Sequence, residues 1–106
     1  MSNSSTTPHC TELVIYRVKP EQLSAYHARH QAVQQTLKNQ PGFISMSTQQ
    51  DIHNTLQFCD QVIWQDQTCA LDAFSRFKQL PCAQPFMDCI DHVICNGHFT
   101  CLAAHT

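Results

Sequence analysis

The hydrophobic pattern of the chain opens with a nearly continuous apolar and β-branched run, TELVIYRV, from Thr11 to Val18. Such a run is typical of a strand that is covered on both faces, and we expect it at the centre of a sheet. Pro20 then suits the first turn of a helix, where its missing N–H costs nothing. This helix ends before Pro41. Its apolar stripe recurs every three or four residues and comprises Leu23, Tyr26, His30, Val33 and Leu37.

Two further strands are predicted to form a hairpin. Phe43 to Gln50 alternates loosely between apolar and polar positions, DIHNT is turn-like, and Leu56 to Gln65 is rich in β-branched and aromatic residues. In the second of these strands Asp60 has the same parity as Phe58 and Trp64, so the pattern places a carboxylate on their face.

The last third of the chain predicts two helices and a strand. Asp66 can cap a helix that ends at Pro81. The buried face of this helix is expected to comprise Ala70, Ala73, Phe74, Phe77 and Leu80. A short helix from about Cys82 to Asp91 follows, and it is expected to bury Phe86, Met87 and Ile90. The chain closes with a strand from about Val93 to Leu102.

The order strand, helix, strand, strand, helix, strand is a split βαβ arrangement, so the predicted fold class is α+β, ferredoxin-like, with a four-stranded antiparallel sheet. Right-handed crossovers place the first and third strands in the centre and both helices on one face of the sheet. Because the first strand is apolar on both sides, we expect the bare face to pack against its copy in a homodimer.

Composition narrows the function classes. The 106 residues are expected to form a single domain over residues 11–106 after a disordered N-terminal tail of residues 1–10. The net charge is −2, and the Lys and Arg residues are scattered singly, so they form no basic stripe. This argues against nucleic acid and membrane as partners. No apolar leader is visible, and the seven cysteines form no Cys-x-x-Cys pair, so we predict reduced thiols and a cytoplasmic location.

Four segments between Thr11 and Leu102 resemble those of a known family. They are VIYRVKPEQLSAYHARH, QPGFISM, VIW and PCAQPFMDCID, the last accompanied by a late GHF. With these motifs the chain resembles the dimeric α/β barrel family named after antibiotic biosynthesis monooxygenases, in a subgroup without an established activity. The resemblance implies a homodimer whose sheets face each other as a barrel, with a ligand cleft between sheet and helices in each subunit.

The resemblance also implies a class of chemistry. The well-studied oxygenases of the family bind an electron-rich substrate that reduces oxygen itself after deprotonation, so neither a flavin nor a metal is needed. The protein then supplies a base and stabilises an oxyanion. Trp64 matches a tryptophan of the family's third strand. The haem degraders also place a His on the second helix, where this chain has Phe74, so no cofactor is expected.

Three residues are candidate catalytic groups: Asp60, His30 and His98. Asp60 is a carboxylate among apolar neighbours and therefore requires a partner. The plainer alternative is a carboxylate satisfied by a turn amide, by Arg17 or by water. His30 lies in the apolar stripe of the first helix, where the alternative is a neutral, hydrogen-bonded core residue. In the catalytic interpretation Asp60 or His30 acts as base and His98 polarises a substrate oxygen.

A second group of side chains is expected to line the cleft and contact the substrate. It comprises Trp64, Tyr16, Tyr26, Asn96 and Phe74. For the aromatic members the alternative is simple core packing, because large aromatic side chains serve packing first.

The stretch CIDHVICNGHFTC holds five potential metal ligands at a spacing of three. A strand or a helix sends residues at this spacing to different faces, so we predict no metal site. His27 and His30 diverge for the same reason. Cys69 and Cys82, close to predicted helix starts, are the cysteines with a chance of thiolate character, and buried inert thiols are the alternative.

Two functions stay open. One is a cofactor-independent monooxygenase that oxidises a small aromatic or quinol-like compound in the cleft. The other is a non-catalytic homodimer of the same fold that binds a small molecule or has a structural role. The two are distinguished by whether Asp60, His30 and His98 converge on one open cleft.

Overall fold

A computed structural model describes residues 8 to 105 of the chain. Within this range four strands form one sheet: β1 Cys10–Val18, β2 Phe43–Gln50, β3 Gln57–Trp64 and β4 Ile90–Thr100. The same range holds three α-helices, α1 Leu23–Leu37, α2 Gln67–Arg76 and α3 Ala83–Met87, and single 3-10 turns at Pro20–Gln22 and Phe77–Gln79. The predicted α+β fold with a four-stranded antiparallel sheet is confirmed. Residues 1–7 of the predicted tail lie outside the described residues.

The strands lie in the order β2-β3-β1-β4. β1 pairs with β3 on one side and with β4 on the other, so the central position predicted from its apolar sequence is confirmed. This register places Val14 opposite Asp60 in β3 and opposite Asn96 in β4. A carboxylate and an amide therefore flank the same position of the central strand.

The helices begin where their sequences favour it. Pro20 starts the 3-10 turn that leads into α1, and α1 buries Tyr26, His30, Val33 and Leu37 as predicted. The side chain of Asp66 caps α2, because its Oδ1 accepts a hydrogen bond of 2.8 Å from the backbone N–H of Cys69. None of the helices within residues 8–105 combines the length and apolar character needed to cross a membrane.

Several expectations about the last third were wrong in detail. Phe74 and Met87 were expected in the core, yet 47% and 43% of their surfaces are exposed, because both border an open cleft. The helix expected over residues 82–91 is only α3, and β4 begins at Ile90 instead of Val93. The reason is that Ile90 and His92 already pair with β1, through irregular register positions.

The two faces of the sheet differ in what covers them. The face toward the helices carries the buried core, with Tyr16, Val18 and Trp64 almost fully excluded from solvent. On the opposite face Leu13, Ile15 and Ile63 are only partly covered, and half of the Phe99 surface is exposed.

Gly42 is required by the turn that leads from α1 into β2. Its φ of 83° lies in the left-handed region, and an added Cβ would overlap the Cys69 side chain. Gly42→Ala is therefore expected to lower the free energy of unfolding by about 2 kcal/mol or more, measured by urea denaturation.

Gly97→Ala provides the matched comparison. Its added Cβ would meet the Phe99 ring at 2.8 Å, and this ring is half-exposed and can move aside. The loss should therefore be clearly smaller than for Gly42→Ala, and equal losses would contradict the assignment of strain to Gly42.

Candidate active site

A cleft of about 250 Å³ lies between the inner face of the sheet and the helices. Its walls are mainly apolar, with contributions from Val14, Val33, Leu37, Met46, Val62, Phe77 and Phe86. The polar groups that reach it belong to Glu12, Tyr16, Asp60, Trp64, Lys78 and Asn96. An apolar cavity with a few convergent polar groups is the usual form of a small-molecule site.

Asp60 is buried in β3 and receives hydrogen bonds from three directions. The hydroxyl of Tyr16 in β1 donates to Oδ2 at 3.0 Å, and the hydroxyl of Thr48 in β2 donates to Oδ1 at 2.7 Å. Nε2 of His30 in α1 lies 2.9 Å from Oδ1 and 3.0 Å from Oδ2. A buried carboxylate needs such partners, so the isolated aspartate of the sequence is in fact the centre of a network.

Two tyrosines extend this network into the core. The hydroxyls of Tyr16 and Tyr26 are 2.6 Å apart. Because the Tyr16 proton points to Asp60, Tyr26 is the donor in this contact. Burial, followed by the negative charge of Asp60, raises the pKa of Tyr16 far above its usual range, and burial also raises the pKa of Tyr26. Both side chains therefore remain neutral phenols and act as hydrogen-bond donors.

Glu12 is a second carboxyl group at the cleft. Its Oε1 accepts a hydrogen bond of 3.0 Å from the indole N–H of Trp64. Burial raises the pKa of Glu12, as does the charge of Asp60 more weakly, while the Trp64 hydrogen bond and His98 oppose this rise. Glu12 thus has one hydrogen-bonding side-chain partner, whereas Asp60 has three.

His98 lies beside Glu12 but does not line the cleft. Its Nε2 is 4.0 Å from Oε2 of Glu12, too far for a hydrogen bond. His98 instead lines a second, smaller cavity of about 220 Å³ together with His9, Cys10 and Gln67. Its ring packs against the ring of Phe74 in a T-shaped arrangement at a centroid distance of 5.3 Å.

The structure brings only some of the predicted site residues together. Asp60, Tyr16, Trp64, Asn96 and Phe74 line the cleft. His30 and Tyr26 stand behind Asp60 and Tyr16 and reach the cleft only through them. His98 is not placed to polarise the oxygen of a substrate in this cleft. Arg17 is not a partner of Asp60 either, because its side chain bonds Gln57 on an exposed part of the sheet.

The cysteines and histidines do not form a metal centre in the described part of the chain. Across residues 8–105 there is no group of three or more His, Cys, Asp or Glu side chains that would hold a metal ion. The seven cysteines are free thiols. The hydrogen-bonded carboxylate of Asp66 raises the pKa of Cys69, so the helix start does not favour a thiolate there.

Comparison with known proteins establishes the family. The sequence model described as antibiotic biosynthesis monooxygenase matches residues 11–86, which extend from the second residue of β1 to the last but one of α3. The chain belongs to the antibiotic biosynthesis monooxygenase family. No curated protein matches it in sequence.

Solved structures share the fold of this family member. A variant of SnoaB, a cofactor-independent oxygenase from Streptomyces nogalater, is similar with a TM-score of 0.72 and 15% identity over 94% of this chain and 97% of that chain. A conserved protein from Methanosarcina mazei Go1 is similar with a TM-score of 0.70 and 17% identity, over 90% of this chain and 92% of that chain. MupZ from Pseudomonas fluorescens is similar with a TM-score of 0.73 and 11% identity, over 92% of this chain and 72% of that chain. At these identities the likeness concerns the fold.

The sequence patterns did not reveal Lys78, which follows α2, or two polar residues of the sheet in this family member's site, Glu12 and Thr48. Strand parity offers a signal for both. Glu12 has the same parity as Val14 and Tyr16 in β1, and Thr48 has the same parity as Met46 in β2, so each pattern places the polar residue on the inner face of the sheet. The nearly continuous apolar run of β1 obscured the first, and the polar end of β2 obscured the second.

The hydrogen bonds of the tyrosine pair predict unequal costs. Tyr16→Phe removes a donor from a buried carboxylate and should lower the free energy of unfolding by about 1.5–3 kcal/mol. Tyr26→Phe removes only a bond between two neutral phenols and should cost about 1 kcal/mol. Urea denaturation at neutral pH measures both, and a larger cost for Tyr26→Phe would contradict the assigned donor directions.

Proposed function

We propose that the protein is a cofactor-independent monooxygenase that oxidises a small aromatic or quinol-like compound in the cleft. The observation that carries this proposal is Asp60, a carboxylate that faces an apolar cavity and is held by three hydrogen-bonding side chains from β1, β2 and α1. A carboxylate fixed in this way can receive a proton from a bound hydroxyl group.

The size of the cleft favours a small substrate. A cavity of about 150 Å³ holds a benzene molecule, so the 250 Å³ of this cleft suit a compound of one or two aromatic rings. Val14 lies on its floor between Asp60 and Asn96. A ring that rests on Val14 would present one substituent to the carboxylate and another to the amide.

The proposed reaction begins with proton transfer from a substrate hydroxyl to Asp60. The resulting phenolate supplies the electrons that reduce dioxygen. One oxygen atom enters the substrate, and the other leaves as water with the two hydrogens that the substrate loses. His30 holds the Asp60 carboxylate from behind, at 2.9 Å, and the amide of Asn96 is a donor for the substrate oxyanion. Trp64 and Phe74 provide the aromatic walls.

A non-catalytic binding role is the second candidate. The observation that favours it is the saturation of Asp60, since both of its oxygens already accept hydrogen bonds within the protein. In that case the network fixes the core, and the cleft binds an aromatic ligand without reaction.

Oxygen uptake with a panel of one-ring and two-ring quinols tests the enzymatic function. The wild type should consume oxygen with at least one of them, and Asp60→Asn should lower the rate by about 100-fold because it removes the base. Asp72→Asn, the same change at an exposed carboxylate outside the cleft, should leave the rate unchanged. Tight binding of panel members without oxygen uptake would support the non-catalytic role instead.

We also propose that the protein is a homodimer joined through the uncovered face of the sheet. Leu13, Ile15 and Ile63 lie there on adjacent strands and form an apolar surface without a cover in the single chain. A patch of this kind is characteristic of an interface between subunits.

Sedimentation measurements test the dimer. The wild type should sediment as a dimer, and Leu13→Glu should yield monomers because it places a charge in the centre of the face. Leu71→Glu makes the same change on the exposed side of α2, where 43% of the leucine surface is accessible, and should leave the dimer intact. A monomeric wild type would contradict the assignment.

A further inference from the structure

Glu12 and His98 form an unusual contact at the boundary between the two cavities. They lie opposite each other in the register of β1 and β4. Glu12 lines the cleft, His98 lines the smaller cavity, and Oε2 of Glu12 faces Nε2 of His98 across 4.0 Å. The two side chains thus connect the two cavities through a single polar contact.

The environment of His98 shows that this contact is incomplete. Nε2 is shielded from solvent and finds no hydrogen-bond partner among residues 8–105. An unsatisfied buried polar atom is unfavourable, and Oε2 of Glu12, 4.0 Å away, is a group that can satisfy this one. The other carboxyl oxygen is already fixed by the indole N–H of Trp64. An approach of roughly 1 Å would complete the hydrogen bond, given the usual length of such bonds.

A single proton between the two side chains can be bound either to Oε2 of Glu12 or to Nε2 of His98. When it is on Glu12, the carboxyl O–H can donate to the lone pair of Nε2. When it moves, the O–H bond breaks, an N–H bond forms on His98, and the neutral pair becomes a carboxylate and an imidazolium. No other reactant is required, and the net charge of the pair does not change.

We propose that Glu12 and His98 share one proton and act as a coupled acid–base pair, a second proton-exchanging site beside the Asp60 network. This site joins the cleft to the smaller cavity. A use of the pair in oxidation rests on the proposed function, but the sharing of the proton does not.

The charged and titratable surroundings define how the pair responds to pH. Asp60 faces Glu12 from β3 and raises its pKa, while His98 faces it from β4 and lowers it. Lys78, which follows α2, borders the same cleft, and Cys10 lies on the same strand. Removal of His98 and removal of the Asp60 charge should therefore shift the titration of Glu12 in opposite directions.

Trp64 provides a direct readout, because it is the only tryptophan of the chain and its indole N–H is bonded to Glu12. Its fluorescence in the wild type should change with pH as Glu12 titrates. Glu12→Gln should abolish this transition, since the amide oxygen can still accept the indole hydrogen bond but cannot ionise. A transition that persists in Glu12→Gln would overturn the proposal.

Coupling is tested in the remaining variants. His98→Gln should raise the midpoint of the transition by about half a pH unit or more, whereas Asp60→Asn should lower it. His92→Gln, which replaces a half-exposed histidine of the same strand, should leave it unchanged. An unchanged midpoint in His98→Gln would overturn the shared proton. Circular dichroism of each variant confirms that the titrated species is folded.

These measurements need no substrate, so they separate the proposal from the proposed function. A coupled transition in a protein that consumes no oxygen would support the pair and refute the oxygenase. Oxygen uptake in a protein whose Trp64 transition has the same midpoint with and without His98 would support the oxygenase and refute the coupled pair.

Discussion

The need to satisfy the buried carboxylate of Asp60 is the constraint on which much of the remaining structure depends. Its three partners come from three different elements: Tyr16 from β1, Thr48 from β2 and His30 from α1. Each bond fixes one element against β3. Since an unpaired buried charge costs several kcal/mol, a shift of α1 along the sheet would break the His30 contact at considerable cost. The network therefore sets the position of the helix as well as the shape of the cleft.

The sequence was informative about the fold because the relevant signals are periodic. The parity of β3 correctly placed Asp60 on the buried face with Phe58 and Trp64, and the stripe of α1 correctly included His30. That these two residues meet is a tertiary fact. It depends on how α1 crosses the sheet, which a repeat of 3.6 residues in one helix does not encode.

The cleft itself was harder to predict from the sequence. A hydrophobic stripe shows which residues avoid water, but not whether they close on one another or border an empty space. Phe74 and Met87 follow the apolar pattern, yet they stand at the rim of the cavity. Glu12 was missed for a related reason, since one acidic residue in a strand of apolar neighbours resembles an exposed position until the structure shows Trp64 bonded to it.

The two carboxyl groups of the cleft differ in a way that suggests different roles. Asp60 is held by three hydrogen-bonding side chains from β1, β2 and α1, which fix the position of its carboxyl group at the cleft. Glu12 has one donor, and burial raises its pKa, so its proton is more easily retained. Two carboxyl groups in different environments are a common arrangement when a site must both remove and return protons. The apolar cleft between β1 and the helices thus has a firmly held carboxyl group on one side and, on the other, a carboxyl group whose pKa is raised by burial.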